Sequence, residues 1–248
     1  MAIDARHVSK SFANYVALRD VDLRVEEGEL VALLGPSGSG KTTLLRIIAG
    51  LDGPDPNHDT AVIVDGQNIL DRKTSERRVG FVFQHYALFR HMTVFENIAF
   101  GLRVRPRKLR PSEPDIRGRV HDLLELTQLG RWRFHYPSQL SGGQRQRVGV
   151  ARALAADPSV LLFDEPFGAV DPVTRLDLQK QFLALRRELG KTAIFVTHDV
   201  REALMLATRI ALLCDGALEL VAPPREFLDA AGAEARAFLA CLDWRDPQ

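Results

Sequence analysis

The sequence predicts an α/β fold with a mostly parallel sheet, antiparallel strands near the N-terminus and an inserted helical segment. Short apolar runs rich in β-branched residues recur along the chain: LVALL at 30–34, VGFVF at 79–83, VLLF at 160–163, TAIFV at 192–196 and RIALL at 209–213. Such runs are typical of strands buried on both faces of a sheet. In contrast, VDLRV at 21–25 alternates apolar and polar residues, which favours an antiparallel strand with one face in water. Strands that alternate with helices predict a helix-covered parallel sheet.

Helical patterns fill the spaces between these runs. From Val173 to Leu189, apolar residues recur at helical spacing, and charged residues fall on the other faces. Between Met92 and Ala156 the strand signals stop, and prolines interrupt helical or irregular patterns. We therefore expect a single domain over residues 1–248. Its parts are a core with its β subdomain at 1–91 and 157–230, a helical subdomain at 92–156, and a C-terminal helix or tail at 231–248.

The composition excludes several classes of protein. Of the 248 residues, 46% are hydrophobic and 26% are charged, as in an ordinary soluble protein, and no apolar run is long enough to span a bilayer. A formal charge of +1 argues against broad binding to nucleic acid. Cys214 and Cys241 lack metal or redox spacing, and no signal segment is evident. We therefore expect reduced thiols in a cytosolic protein.

A glycine-rich segment, GPSGSGKTT, follows the first apolar run and opens a helical stretch. It fits the P-loop pattern G-x-x-x-x-G-K-[ST] in the context that this motif requires. Successive N–H groups can cradle phosphate oxygens there, Lys41 can reach the β- and γ-phosphates, and the Thr42 hydroxyl can ligate Mg²⁺. The predicted nucleotide-binding residues are Gly35, Pro36, Ser37, Gly38, Ser39, Gly40, Lys41, Thr42 and Thr43.

Polar residues at the ends of three other apolar runs are candidate catalytic groups. Asp164 follows VLLF and can hold Mg²⁺, while the adjacent Glu165 can polarise an attacking water. Gln84 follows VGFVF and can ligate Mg²⁺ or position water. His198 follows TAIFVT and can donate to the γ-phosphate. Taken alone, Gln84 and His198 also fit surface or helix-capping roles.

A second glycine-rich motif, LSGGQ, lies at residues 140–144. Ser141, Gly142, Gly143 and Gln144 would open another helix, whose N-terminus carries a positive dipole end suited to phosphate. The alternative is an ordinary helix cap. One bound nucleotide needs only one cradle, so the second motif requires an explanation.

The ordered set GPSGSGKTT, Gln84, LSGGQ, LLFDEP and His198 resembles the nucleotide-binding subunit of ATP-binding cassette (ABC) transporters, from about Phe12 to about Leu228. The resemblance implies an ATP hydrolase in which two subunits face each other head to tail. The LSGGQ of one subunit then closes over the ATP of the other. It also implies that Asp171 lies in a loop linking the two sites, and that Phe12, or alternatively Tyr15, stacks on adenine.

The resemblance further implies the partners. The second ATPase chain is an identical copy or a related subunit, and both attach to integral membrane permease subunits at the cytoplasmic face of the membrane. A solute-binding protein takes part indirectly, and no nucleic acid is expected. The aromatic residues Tyr86, Phe89 and Phe95, with Leu88 and Met92, would line a socket for a permease helix, or else belong to the helical core, as expected for Phe95 and Phe100.

The transported solute is less clearly indicated than the chemistry. QHYALFRHMTVFENIAFGL, at residues 84–102, is similar to the corresponding stretch of sulfate and thiosulfate importers. DEPFGAVDPVTRLDLQKQFLALRRELGKTAIFVTHDVREAL is closer to importers of osmoprotectants such as glycine betaine. A soluble ABC ATPase without transport is the alternative from another class. A basic stretch at residues 103–110 fits either a solvated loop or contact with lipid headgroups or an acidic partner.

Overall fold

The computed structural model describes residues 2–168, 172–230 and 232–240. The strands, in chain order, are β1 Ile3–Phe12, β2 Tyr15–Val25, β3 Leu30–Leu34, β4 Ala61–Val64, β5 Gln67–Asn68, β6 Val79–Val82, β7 Val160–Phe163, β8 Thr192–Thr197, β9 Arg209–Cys214 and β10 Ala217–Ala222. The helices are α1 Lys41–Ala49, α2 Val94–Arg103, α3 Glu113–Leu126, α4 Gly142–Ala155, α5 Pro172–Leu189, α6 Val200–Leu206, α7 Pro224–Leu228 and α8 Ala233–Ala240.

The chain divides into two compact units. The first unit contains the described residues of Met1–Arg77, Leu162–Glu165 and Lys191–Gln248, and the second contains those of Arg78–Leu161 and Pro166–Gly190. The helical segment predicted at 92–156 lies within the second unit, whose bounds extend beyond it on both sides. None of the helices in the described part of the chain is long and apolar enough to cross a bilayer.

The first unit contains an antiparallel sheet of order β2-β1-β4-β5. Along β2, Val21, Leu23 and Val25 are buried, whereas Asp22 and Arg24 point to solvent. This alternation confirms the one-sided strand that VDLRV predicted. The strand pairs along most of its length with β1, and the two meet at a tight turn between Phe12 and Tyr15.

The parallel strands of the first unit position its polar loops. The strand order there is β10-β9-β3-β8, in which β3 runs parallel to β8 and β9, whereas β10 pairs antiparallel with β9. All five residues of β3 are buried, as the continuous apolar run predicted. At its carboxyl end, Leu34 pairs with Thr197 of β8 and with Leu212 of β9. The loops after these three strands therefore begin at one edge of the sheet.

The second unit is mainly helical. Helix α2 packs on α4 and α3, and apolar residues on their facing sides are fully or almost fully buried, among them Ile98, Val120 and Val148. A capping box between Thr93 and Glu96 fixes the start of α2. Helix α5 begins at Pro172, one residue before the predicted start, and β6 ends at Val82, one residue before the predicted end. The predicted fold class is confirmed in both units.

Candidate functional site

The glycine-rich segment forms a tight loop between β3 and α1 in the first unit. An added Cβ on Gly35 would overlap the main-chain oxygen of Leu213, and one on Gly40 would overlap that of Ala17. Gly40 also has φ of 100° at the N-cap of α1, in the left-handed region that glycine tolerates. Backbone from two other segments thus approaches the loop so closely that side chains are excluded at both positions.

Lys41 is buried at the start of α1. Its Nζ donates to the carbonyl oxygens of Gly35 at 2.9 Å and Pro36 at 2.7 Å, and to Ser39 Oγ at 3.3 Å. Burial lowers the pKa of Lys41, and the nearby charge of Glu165 opposes that shift. The loop therefore curls around an ammonium group that can face phosphate oxygens.

Thr42 and Asp164 meet although 122 residues separate them in sequence. The Thr42 hydroxyl donates to Asp164 Oδ1 at 2.7 Å. Burial raises the pKa of Asp164, and the bond from Thr42 opposes that shift. Hydroxyl and carboxylate oxygens are the hard ligands that Mg²⁺ prefers, and the ion usually takes its remaining ligands from phosphates and water. Within the described ranges no group of three His, Cys, Asp or Glu side chains lies together in a way that could hold a metal ion.

Glu165 and His198 lie side by side, with 3.6 Å between Glu165 Oε1 and His198 Nδ1. Glu165 has φ of 44°, a left-handed conformation that costs free energy for a residue other than glycine. The side chain of Glu165 is 24% exposed and that of His198 is 58% exposed. Both groups thus reach solvent from the end of the sheet where Asp164 and Lys41 lie.

Sequence reasoning missed a pair that positions the end of β8. Thr197 Oγ1 donates to Glu202 Oε2 at 2.6 Å and accepts from the N–H of Asp199 at 3.0 Å. Glu202 is buried in α6, and the Asp199 side chain caps that helix by accepting from Arg201 N. These bonds fix the turn that carries His198. The available signal was a threonine directly before the histidine, with a glutamate one helical turn later.

Phe12 and Tyr15 face each other across the β1–β2 turn. Their exposed fractions are 45% and 52%, so both rings are open to a ligand. The Tyr15 hydroxyl donates to the carbonyl oxygen of Gly38 in the glycine-rich loop. Lys10 Nζ lies 5.2 Å from the centroid of the Phe12 ring. The assignment of Phe12 as the residue that stacks on adenine stays a prediction. Tyr15, the alternative residue, contacts the glycine-rich loop.

The LSGGQ motif begins α4 in the second unit. Ser141 is the N-cap: its Oγ accepts from Gln144 N at 3.3 Å, and Gln144 Oε1 accepts from Ser141 N at 2.8 Å. Ser141 and Gln144 therefore do form the helix cap that the alternative interpretation predicted. The capping box leaves the N–H groups of Gly142 and Gly143 without acceptors inside the helix, as at any helix start. Ser141 is exposed, so the motif can meet a ligand from outside the chain.

The segment after Gln84 is held in place within the second unit. Tyr86 and Ala87 have φ of 62° and 44°, and their carbonyl oxygens accept from Arg152 at 3.1 and 2.7 Å. The ring centroids of Phe89 and Phe100 are 4.5 Å apart. Phe95 and Phe100 were both expected to be core residues of the helical segment. In the structure both are only half-buried.

The basic stretch is partly engaged inside the same unit. Arg103 pairs with Glu113, Arg105 donates to the Ala156 carbonyl at 3.0 Å, and Arg110 donates to the Arg105 carbonyl at 3.2 Å. Arg107 and Lys108 are exposed. The stretch therefore combines arginines that stabilise the loop with Arg107 and Lys108, which face solvent.

Two sequence predictions fall on residues outside the described ranges, those for Asp171 and Cys241. The other cysteine, Cys214, is buried in β9, and burial raises the pKa of its thiol to about 11. A thiol with so high a pKa is a poor nucleophile and metal ligand at neutral pH.

The sequence is similar to a known protein family and to individual proteins of known name. A family profile described as "ABC transporter" matches residues 18–168. The sulfate/thiosulfate import ATP-binding protein CysA of Rhodopseudomonas palustris is 58% identical over 224 residues, which make up 90% of this chain and 64% of that protein. CysA of Methylococcus capsulatus is 56% identical over 92% of this chain and 65% of its own length. The chain thus spans slightly less than two thirds of these relatives.

The fold is also similar to solved structures of ATP-binding cassettes. A dimeric post-hydrolysis state of the ATP-binding cassette MJ0796, bound to ADP and Pi, is 37% identical with a TM-score of 0.77, covering 90% of this chain and 99% of that chain. A second dimeric structure of MJ0796, described as a bacterial ABC transporter cassette, is 38% identical with a TM-score of 0.78 and the same coverage.

Proposed function

Because the chain belongs to the ABC transporter family, we propose that it is the ATP-binding and ATP-hydrolysing subunit of an importer. Two such chains close around two ATP molecules and drive solute uptake through separate membrane subunits. The observation that carries the proposal is the meeting of the glycine-rich loop with the acidic strand end. Lys41 lies within the loop, and Thr42 bonds to Asp164, so a phosphate site and a magnesium site share one loop.

Residues of this chain divide the work of hydrolysis. The N–H groups of Gly38 to Thr43 and the Lys41 ammonium hold the phosphates, and Thr42 with Asp164 would hold Mg²⁺. When bound, Mg²⁺ neutralises charge on the β- and γ-phosphates. Glu165 orients a water and takes up its proton as the water attacks the γ-phosphorus. The bond from that phosphorus to the oxygen bridging to the β-phosphate breaks at the same time, which gives ADP and inorganic phosphate. His198 Nε2 can donate to a γ-phosphate oxygen, while its Nδ1 faces Glu165. We propose that Gln84 either ligates Mg²⁺ or positions the attacking water.

The second glycine-rich motif belongs to the partner's nucleotide in this proposal. Ser141 is exposed at a helix start that is preorganised by a capping box. Both similar solved structures are dimeric. The partner is a second copy of this chain or a related ATPase subunit. Asp171 would link the two sites, and Phe12 would stack on adenine.

Sulfate or thiosulfate is the proposed solute. Its support is the identity of 58% and 56% to proteins named as sulfate/thiosulfate import ATP-binding proteins, together with the likeness of residues 84–102. The chain would attach to permease subunits at the cytoplasmic face of the membrane, with a solute-binding protein acting on the other side.

Three measurements test the proposal: ATP hydrolysis, growth of a deletion strain, and copurification with membrane subunits. The purified chain should hydrolyse ATP in the presence of Mg²⁺ and stop on chelation, with Lys41→Ala as the inactive control. Absence of any hydrolysis would contradict the ATPase assignment.

Deleting the gene should abolish growth on sulfate as sole sulfur source but not on cysteine. The wild-type gene should restore growth, whereas the Glu165→Gln variant should not. Growth that survives on sulfate, with loss of salt protection by glycine betaine, would favour the osmoprotectant alternative. Failure to copurify with integral membrane subunits would favour a soluble ATPase.

A further inference from the structure

We propose that an exposed loop of the second unit binds the surface of a membrane that contains anionic lipid. The loop joins α2 to α3 and has the sequence VRPRKLRP, at residues 104–111. It lies wholly within the second unit, and it contains none of the residues assigned above to nucleotide, magnesium or the permease socket. The proposed contact with lipid is additional to any contact with permease subunits.

The cations of this loop have no carboxylate partner. They are Arg105, Arg107, Lys108 and Arg110. Among the residues that the structure describes, none of the four forms an ion pair with Asp or Glu. Arg105 donates to the carbonyl oxygen of Ala156 and Arg110 to that of Arg105, and neither bond cancels the positive charge. The loop thus concentrates four formal positive charges on a chain whose formal net charge is +1.

Hydrogen bonds give the loop a defined shape. The N–H of Leu109 donates to the carbonyl oxygen of Pro106 at 2.8 Å, which closes a turn with Arg107 and Lys108 at its tip. The two arginine bonds to main-chain oxygens, at 3.0 and 3.2 Å, tie the loop to the end of α4 and to itself. Because the loop is already ordered, binding to a surface costs less conformational entropy than ordering a free segment would.

Two aliphatic side chains lie exposed among these cations. Val104 is 59% exposed, and Leu109 is 70% exposed, the largest exposed fraction among the large hydrophobic residues of the described chain. At a membrane surface, aliphatic side chains enter the boundary between headgroups and acyl chains, while neighbouring Lys and Arg side chains attract anionic headgroups. Leu109 next to the cationic tip of the turn fits both parts of that contact.

This combination favours a lipid surface over nucleic acid or an acidic protein. The phosphate backbone of a nucleic acid would use the cations but would offer Leu109 no apolar surroundings. A specific protein interface takes about 20–30 residues on each side and requires matching shape, which a short loop does not supply. A lipid surface needs only the charge and the aliphatic side chains, because its headgroups rearrange around what binds.

Vesicle cosedimentation of the full chain, without nucleotide or permease subunits, tests the proposal independently of the ATPase function. The probes are vesicles of phosphatidylglycerol and phosphatidylcholine in equal parts, and vesicles of phosphatidylcholine alone. We expect binding to the anionic vesicles and its loss at high salt, because salt screens the charges. Arg107→Gln combined with Lys108→Gln should weaken binding roughly 25-fold, at about fivefold for each cation near the surface.

Arg72 and Lys73 supply the matched control. They are the same two residue types in the same order, and both are exposed in the first unit, directly after Asp71. Arg72→Gln combined with Lys73→Gln changes the net charge of the chain by the same amount and should bind vesicles like wild type. Equal weakening by the two double variants would assign vesicle binding to net charge alone and contradict the proposal.

A fluorescent side chain tests the contact at Leu109 itself. After subtraction of the wild-type spectrum, the tryptophan emission of Leu109→Trp should shift to shorter wavelength on anionic vesicles, as the ring leaves water. Leu176→Trp is the control, because Leu176 is 57% exposed on α5 of the same unit, and its emission should not shift. The proposal is wrong if the emission of vesicle-bound Leu109→Trp stays unshifted. It is also wrong if wild type does not bind anionic vesicles, as expected of a loop that only faces solvent or only contacts a protein.

Discussion

The Thr42 hydroxyl donates a hydrogen bond of 2.7 Å to Asp164 Oδ1, joining the first turn of α1 to the end of β7. The carboxyl group is buried, and burial raises its pKa above the ordinary value of 3.8. At neutral pH an ionised Asp164 therefore weakens the ligand-free fold, while the same charge suits it to a cation. Stability and cation binding make opposite demands on this residue.

Asp164→Asn should stabilise the ligand-free protein at pH 7, because the amide oxygen still accepts from Thr42 and no charge is buried. The folded pKa is raised, so the penalty in wild type is absent below the ordinary pKa and grows as pH rises through the folded value. The stabilisation should consequently shrink as pH falls towards 4. Thermal unfolding between pH 4 and pH 7 measures it.

The same variant should lose its response to nucleotide. Mg²⁺ATP at a hundred times its dissociation constant should stabilise wild type by about 2.7 kcal/mol, and Asp164→Asn by much less. An equal response in both proteins would remove Asp164 from the magnesium site.

Glu165→Gln should keep ATP binding and lower turnover by roughly 10²–10⁴-fold, the range for loss of a positioned acid–base group. The amide preserves shape but cannot take up a proton. The variant should accumulate as an ATP-bound dimer, seen by gel filtration in Mg²⁺ATP. Adding Lys41→Ala to it should abolish that dimer, as a control. Unchanged hydrolysis would exclude Glu165 as the main catalytic carboxylate.

Glu202→Ala should impair hydrolysis in the same way as His198→Ala, although it touches no substrate. Removing the carboxylate leaves Thr197 Oγ1 without its buried acceptor, at a cost of about 1–3 kcal/mol in unfolding free energy, and frees the turn that carries His198. Both variants should bind ATP nearly normally. Glu202→Gln keeps an acceptor oxygen and should recover most of the activity. A stable Glu202→Ala protein with wild-type turnover would show that Glu202 does not position His198.

Phe12→Ala should raise the ATP requirement by roughly tenfold, since loss of base stacking costs about 1–3 kcal/mol. Tyr15→Ala is the matched test across the turn, and Tyr15→Phe removes only the hydroxyl that bonds to Gly38. Nucleotide titrations of the three variants separate ring stacking from support of the loop. A tenfold loss in Tyr15→Ala and none in Phe12→Ala would transfer the stacking role to Tyr15.

Mixing two defective chains tests the role of LSGGQ. Lys41→Ala weakens the cradle, and Ser141→Arg places bulk and charge at the exposed helix start. Each homodimer then has two defective sites. In a head-to-tail mixed dimer both lesions share one site, so the other is intact. ATP-dependent crosslinking of differently tagged chains should therefore recover only in the mixture. Capture no greater than in either mutant alone would contradict the interfacial assignment of Ser141.

Apolar patterns predicted the strands well, because a strand that is buried on both faces of a sheet consists of consecutive apolar residues. LVALL coincides with β3, and VLLF coincides with β7. Spacing alone also predicted that the glycine-rich loop opens a helix, as α1 does. The contacts that shape the site lie beyond such patterns. Arg152 holds the carbonyl oxygen of Tyr86 from 66 residues away, and the bond between Thr197 and Glu202 depends on how α6 packs. Phe95 and Phe100, expected in the helical core, are only partly buried, because the depth of their cover depends on how the helices pack and not on the local sequence.

The main-chain oxygens beside Gly35 and Gly40 limit how this sequence can evolve. A clash with a neighbouring side chain can be relieved by a second mutation that shortens that neighbour. At these two glycines the obstacle is the peptide carbonyl of Leu213 and of Ala17, which every amino acid carries. No single compensating substitution can therefore make room for a side chain. A suppressor screen that starts from Gly35→Ala or Gly40→Ala should return mainly true revertants.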